Sequence, residues 1–225
     1  MGTWQQHYDV IIAGAGPAGL SCAQRLAGSE LSVLLIDKAQ QIGPKSCAGG
    51  ITHLAGGFDL PEGKFRSFAH QKVYLNGIPF RFRLVNPLKT ITRQDLAAHQ
   101  LSKIHGAENI RLMHPARLLE IHQTHVITDR GTFGFKYLVG ADGSASRIRK
   151  SLNLSNKYCA GLYTEIPEIT QKFTWHVFPR RLGTAYFWAF PHLDHTNVGL
   201  FYNPENLPAD DARRLLRKHL DGTAT

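Results

Sequence analysis

The sequence is poor in cysteine. Cys22, Cys47 and Cys159 are its three thiols, too few and too widely spaced for a disulfide framework or a four-ligand zinc site. It has no run of about 18 apolar residues, so no stretch suits a membrane-crossing helix. Its first residues, MGTWQQHYDV, lack the basic segment and apolar stretch of a secretory signal, and a cytoplasmic protein is expected. The absence of a GxSxG element removes an α/β-hydrolase nucleophile. His122 with His125, and His192 with His195, have no third ligand nearby in the sequence, so no metal site is expected. Acidic residues are in deficit, 17 against 26 Lys and Arg, for a formal charge of +9. Such a balance favours an anionic partner. The cations are spread along the chain instead of massed in a tail, so phosphate-bearing small molecules fit better than nucleic acid. Part of the charge needs no partner and serves solubility.

What the chain does have is a core. With 43% hydrophobic and 19% charged residues over 225 positions, it is sized for one large domain or two intertwined ones. The apolar run Val10–Ala13 reads as a short buried strand, and Val33–Ile36 as a second. Between them lie a glycine-rich turn and the helix-forming segment Ala18–Ala27. In Gly14-x-Gly16-x-x-Gly19, the first glycine permits a tight turn, the second lets backbone approach a pyrophosphate, and the third lets helix and strand lie close. The helix N-terminus offers unpaired N–H groups to phosphates. Asp37, 23 positions after Gly14, stands where a carboxylate accepts hydrogen bonds from ribose hydroxyls. Strand, glycine turn, helix and acid together predict an adenine dinucleotide site. The competing reading is a turn that needs its glycines for packing alone.

Further along, 40–70 reads as a long loop, 72–85 as a hairpin turning at Asn76–Gly77, and Asp95–Ile104 as a helix with Thr92 before it. Short strands are expected in 110–138 and 158–202. Pro208–Leu220 reads as an amphipathic helix with Leu215, Leu216 and Leu220 on one side. Its basic residues Arg213, Arg214, Arg217 and Lys218 suit either contact with an anionic membrane surface or an ordinary solvated face.

The segment YDVIIAGAGPAGLSCAQRLAG with VLLIDK resembles the start of FAD enzymes with the p-hydroxybenzoate hydroxylase fold. LVGADGSASRIRK at 138–150 is similar to that family's second FAD fingerprint, with Asp142 and Gly143 near ribose and pyrophosphate. Thr92-Arg93-Gln94-Asp95-Leu96 matches the place where the family sets an arginine close to the flavin nucleotide. Within the fold, PKSCAGGI at 44–51, and YFWAFP at 186–191 followed by NVGL, resemble the geranylgeranyl reductase group.

The resemblance implies an α/β chain: a GxGxxG-type FAD-binding domain with a mainly parallel sheet, plus a smaller antiparallel β-sheet substrate domain. The implied limits are 1–70 with 90–155, then 71–89 with 156–207, then a helix and tail over 208–225. It implies FAD contacts from Gly14, Gly16, Ala18, Gly19, Asp37, Lys38, Cys47, Ala48, Arg93, Asp142 and Gly143. It also implies reduction of C=C bonds in an isoprenoid or other apolar substrate, with NAD(P)H or a reduced electron carrier as donor. The alternatives are a flavin monooxygenase or halogenase of the same fold, and a non-catalytic FAD-binding paralogue. Family members continue to a GDAAG-type segment that closes over the flavin, and none occurs before Thr225, so the chain is expected to lack that part.

Cys47 has two readings: a thiol that protonates the carbon beside the hydride acceptor, or a small packing residue. Tyr186, Trp188 and Phe190 alternate at period two and share one strand face. That face suits the wall of a substrate pocket, and equally an ordinary sheet face against a helix. Arg180-Arg181 suits a diphosphate contact or a solvated turn.

Overall fold

Both apolar runs become central strands. The computed structural model describes residues 6–52, 59–179 and 183–223, and it divides into two compact units. The first unit comprises 1–45 with 93–156, the second 46–92 with 157–225.

In the first unit, β1 (Gln6–Ala13) pairs in parallel with β2 (Val33–Ile36) and with β9 (Gly131–Gly140). β6 (Ile110–Met113) extends the parallel part beyond β2, while β8 (His125–Thr128) and β7 (Leu118–Ile121) add an antiparallel edge beyond β9. The order is β6-β2-β1-β9-β8-β7. All four residues of β2 are buried, as a strand covered on both faces requires. On one face Val10, Ile12, Val33 and Leu35 pack against α1 (Pro17–Leu26) and α2 (Arg93–Ile104), through Leu20, Ala23, Ala97 and Ile104. On the other, Ile11, Leu34 and Ile36 meet Ala116, Val126, Phe133 and Ile148. Gln100, 2% exposed, ties the helices together: its amide donates to the Pro17 carbonyl and to Ser21 Oγ. α3 (Arg147–Ser151) is one short turn, capped by Ser146 Oγ accepting from the Arg149 N–H.

The second unit holds a seven-stranded sheet, β10-β13-β12-β11-β4-β5-β3. Its strands are β3 (Gly50–Ile51), β4 (Phe65–Leu75), β5 (Ile78–Ile91), β10 (Ala160–Ile166), β11 (Phe173–Val177), β12 (Tyr186–Pro191) and β13 (Thr196–Tyr202). All neighbours are antiparallel except β11 with β4. The β4–β5 turn falls at Asn76–Gly77, both at positive φ (49° and 85°), the conformation a two-residue hairpin needs. Expected as the smaller part, this sheet outgrows the first because β4 and β5 run well beyond 72–85. Residues 46–70, assigned from sequence to the FAD part, belong here for the same reason: β3 and β4 both pair with β5. The last helix, α4 (Ala209–Thr223), is likewise no separate tail. Ala212 and Leu216 bury against Ala185, Phe187, Leu200 and Tyr202. Its apolar face is thus spent on the sheet, while its exposed Arg213 and Arg214 pair with Asp210 and Asp211 one turn back.

Candidate functional site

A cavity of about 500 Å³ opens in the first unit, at the carboxyl ends of β1 and β2. That is where parallel α/β sheets bind ligands. Gly14, Ala15, Gly16 and Pro17 form one wall, with Asp37, Lys38, Gln41–Lys45, Arg93, Arg117, Asp142 and Arg147 around it.

The glycine spacing has three separate physical causes. A Cβ on Gly14, at φ +103°, would stand 2.3 Å from the Ala141 carbonyl oxygen, and one on Gly19 would stand 1.7 Å from the Gly14 oxygen. Those two glycines are demanded by the fold. Gly16 is different: no atom lies within 4 Å of its Cβ position, and it borders the cavity. The protein itself does not require glycine there, and the open space beside it leaves room for a ligand to approach the backbone.

The start of α1 is arranged for an anion. Gly16 is its N-cap, no side chain caps it, and its first turn holds no acid. The N–H groups there are available to a phosphate. Asp37 is fixed from two sides, Oδ2 accepting from the Ala15 N–H (2.6 Å) and Oδ1 from the Ala39 N–H (2.8 Å). A carboxylate has about four lone-pair sites, so it keeps capacity for ribose hydroxyls. Across the cavity, Asp142 Oδ2 accepts from the Arg147 N–H (2.6 Å). Its Oδ1 is buried and, among the described residues, has no partner. Five cations, Lys38, Lys45, Arg93, Arg117 and Arg147, outnumber the carboxylates Asp37 and Asp142 along the lining. Arg93 is the first residue of α2. Lys45 brings its ammonium beside Gly143, 3.0 Å from where a Cβ would stand. A linear ligand with an acidic centre and a ribose end fits this set.

Gly14, Gly16, Asp37, Lys38, Arg93 and Asp142 thus line one cavity, with Gly19 packed against Gly14 and Gly143 beside the Lys45 ammonium. Ala18 is exposed on α1 and does not line it. Sequence reasoning missed Lys45, Arg117 and Arg147. Arg147 lies inside the second fingerprint and was within reach. Arg117 carries no motif of its own and arrives only because β7 borders the cavity.

Cys47, Ala48 and the aromatic segment belong to the second unit. Cys47 is exposed, and its Sγ accepts from the Gly49 N–H at 3.4 Å. His192, 4% exposed, holds the next peptide through Nε2 and the Ala48 carbonyl (3.0 Å). A carbonyl can only accept, so Nε2 carries the proton, and burial keeps this imidazole below its usual pKa. Trp188 and Phe190 are buried in a cluster with Phe68, Leu88 and Phe173, and Tyr186 packs against its margin. Phe190 stacks on Phe173 at 4.0 Å, and the Trp188 indole N–H donates to Asn197 Oδ1. Burial pushes the Tyr186 hydroxyl up. Trp188 and Phe190 thus fill space within their unit. Arg180-Arg181 lies outside the described residues. No three His, Cys, Asp or Glu converge among the described residues.

The profile of the FAD binding domain family matches residues 9–72. An uncharacterised protein of Methanosarcina barkeri, encoded in the nifH2 5′ region, is 31% identical over 66% of this chain and 89% of its own length. The chain belongs to the FAD-dependent oxidoreductases that include the geranylgeranyl reductase-like proteins. A digeranylgeranylglycerophospholipid reductase of Methanococcus vannielii is 25% identical over 87% of this chain and 55% of its own length. In fold, this family member is similar to a geranylgeranyl bacteriochlorophyll reductase-like protein of Thermoplasma acidophilum: TM-score 0.74, 17% identity, 96% of this chain and 62% of that one. It is similar also to the halogenase PltM in complex with FAD: TM-score 0.77, 17% identity, 95% and 55%. The chain spans about half the length of most curated relatives it matches. No described helix is long and apolar enough to cross a membrane.

Proposed function

We propose that this FAD-binding chain serves a reductase that saturates C=C bonds of an isoprenoid or similarly apolar substrate. The observation that carries the reading is the match, over 87% of the chain, to relatives named as digeranylgeranylglycerophospholipid reductases. When bound, FAD supplies a hydride to one alkene carbon. The rest falls to the protein. Gly14–Pro17 and the start of α1 receive the pyrophosphate, and Lys45, Arg93 and Arg147 balance its charge. Asp37 holds a ribose through its hydroxyls. Cys47 gives a proton to the second alkene carbon and regains one from solvent. His192 fixes the peptide next to that thiol. NAD(P)H or a reduced carrier protein re-reduces the cofactor.

The test is turnover without oxygen. The chain is reconstituted with FAD, reduced chemically and mixed with a prenyl substrate. The expected product carries two more hydrogens per reduced bond, measured by mass spectrometry, and Cys47→Ala slows its formation. Product that forms only with oxygen, and carries oxygen or halogen, overturns the reductase reading and moves the chain to the monooxygenase or halogenase branch. Failure to take up FAD removes every enzymatic reading.

A further inference from the structure

Residues 64–89 contain six Lys and Arg and no Asp or Glu. Cations that look scattered in the sequence are gathered here by the β4–β5 hairpin. Its register sorts the side chains. Leu75 lies opposite Ile78, Val73 opposite Phe80 and Gln71 opposite Phe82, all on one face. Lys72 lies opposite Arg81, and His70 opposite Arg83, on the other. The apolar face is not covered: Ile78 is 61% exposed, Phe82 47%, Phe80 44% and Leu75 40%.

The ordinary explanation falls short. Among the described residues, β5 pairs on its outer side only with the two residues of β3, at Lys89 and Thr90, so its distal half is an open edge. Pro79, Arg81 and Arg83 suffice to keep such an edge from pairing with another chain. That does not account for four large apolar side chains beside them. Nor does it account for Lys72 set directly against Arg81, a like-charge pair that costs stability and that the Tyr74 ring beneath the Lys72 ammonium relieves only in part.

We infer that the β4–β5 hairpin is a docking surface for an anionic lipid bilayer. Leu75, Ile78, Phe80 and Phe82 enter the boundary between headgroups and acyl chains. Lys72, Arg81 and Arg83 reach sideways to the lipid phosphates, their stems lying along the apolar layer. A nucleic acid would engage the cationic face and leave Leu75 and Ile78 in water, so the aliphatic tip decides for lipid. The surface stands independently of the proposed reaction, which adds only a reason for it: a long apolar substrate resides in the bilayer.

The test uses the full chain and flotation with vesicles, either phosphatidylcholine alone or mixed with phosphatidylglycerol. The wild type is expected to float with the anionic vesicles, less so as salt is raised, and weakly with the neutral ones. Arg81→Gln/Arg83→Gln is expected to lose about thirtyfold in affinity for the anionic vesicles. Both side chains are exposed, so the variant keeps its fold. A Phe80→Trp variant reports insertion directly: its emission moves to the blue on addition of anionic vesicles. Equal binding to both vesicle types, equal affinity of the double variant and the wild type, or an unshifted emission each overturns the inference. So does retention on DNA with no binding to phosphatidylglycerol. None of these readouts involves turnover, so failure of the alkene reaction leaves them unchanged.

Discussion

Gly16→Ala and Gly19→Ala should fail in opposite ways. At Gly16 the backbone is extended, φ −75° and ψ −178°, which alanine adopts freely, and its Cβ would meet no protein atom within 4 Å. The substitution leaves the fold alone, and a restricted unfolded chain adds up to about 0.5–1 kcal/mol of stability. The methyl group does project beside the cavity. If it holds the pyrophosphate off two N–H groups, each charge-assisted bond costs about 1.5 kcal/mol, and FAD affinity falls by about a hundredfold or more. At Gly19 the Cβ would lie 1.7 Å from the Gly14 carbonyl oxygen, a backbone atom that cannot swing aside. That overlap costs about 3 kcal/mol or more and lowers the melting temperature by about 10 °C. The assay is paired: thermal melting of the apoprotein, and FAD titration by quenching of flavin fluorescence. The expected result is an unchanged melt with lost binding for Gly16→Ala, and a lowered melt for Gly19→Ala. Gly16→Ala that binds FAD like the wild type refutes the placement of the pyrophosphate.

Asp37→Asn should weaken FAD binding by about tenfold or more, read by the same titration, because it removes the charge that holds the Ala15 and Ala39 N–H groups and the ribose. Asn197→Leu should lower stability by about 1–3 kcal/mol in urea melts, since it strands the buried indole N–H of Trp188. Acid should destabilise the protein from about pH 6.5 downward. Burial depresses His176 from 6.5 to about 4 and also lowers His192 and His219, so the unfolded chain binds more protons across that range and stability falls with pH. Urea midpoints measured at intervals from pH 7 to 4.5 check this, and His176→Phe should flatten the slope.

The nucleotide half of the molecule was legible because its rules are local. An apolar run, three glycines at fixed spacing and an acid all act within 30 residues, and each places one atom against a close neighbour. Asp142 and Arg93 required a family resemblance, because chain far from the turn brings them to the cavity. Arg117 and Lys45 had no signal, since a lone cation in a loop reads as surface charge. The alternation of Tyr186, Trp188 and Phe190 correctly gave one strand face. It could not separate a pocket wall from a packed core, because both demand large apolar rings. Residues 46–70 were misassigned for a similar reason. The partner of β3 and β4 is β5, downstream of both strands, and pairing between distant segments leaves no mark on local composition.

The two units are threaded through one another, which bears on how the chain comes into being. β1 has two parallel neighbours: β2 follows it closely, but β9 is made about 120 residues later, after a whole excursion into the other unit. At ribosomal rates of about 5–20 residues per second, the central strand waits roughly 6–24 s with one long edge bare. During that interval the glycine turn has no Ala141 or Asp142 to lean on. The sheet of the cofactor unit therefore cannot be completed until β9 has emerged.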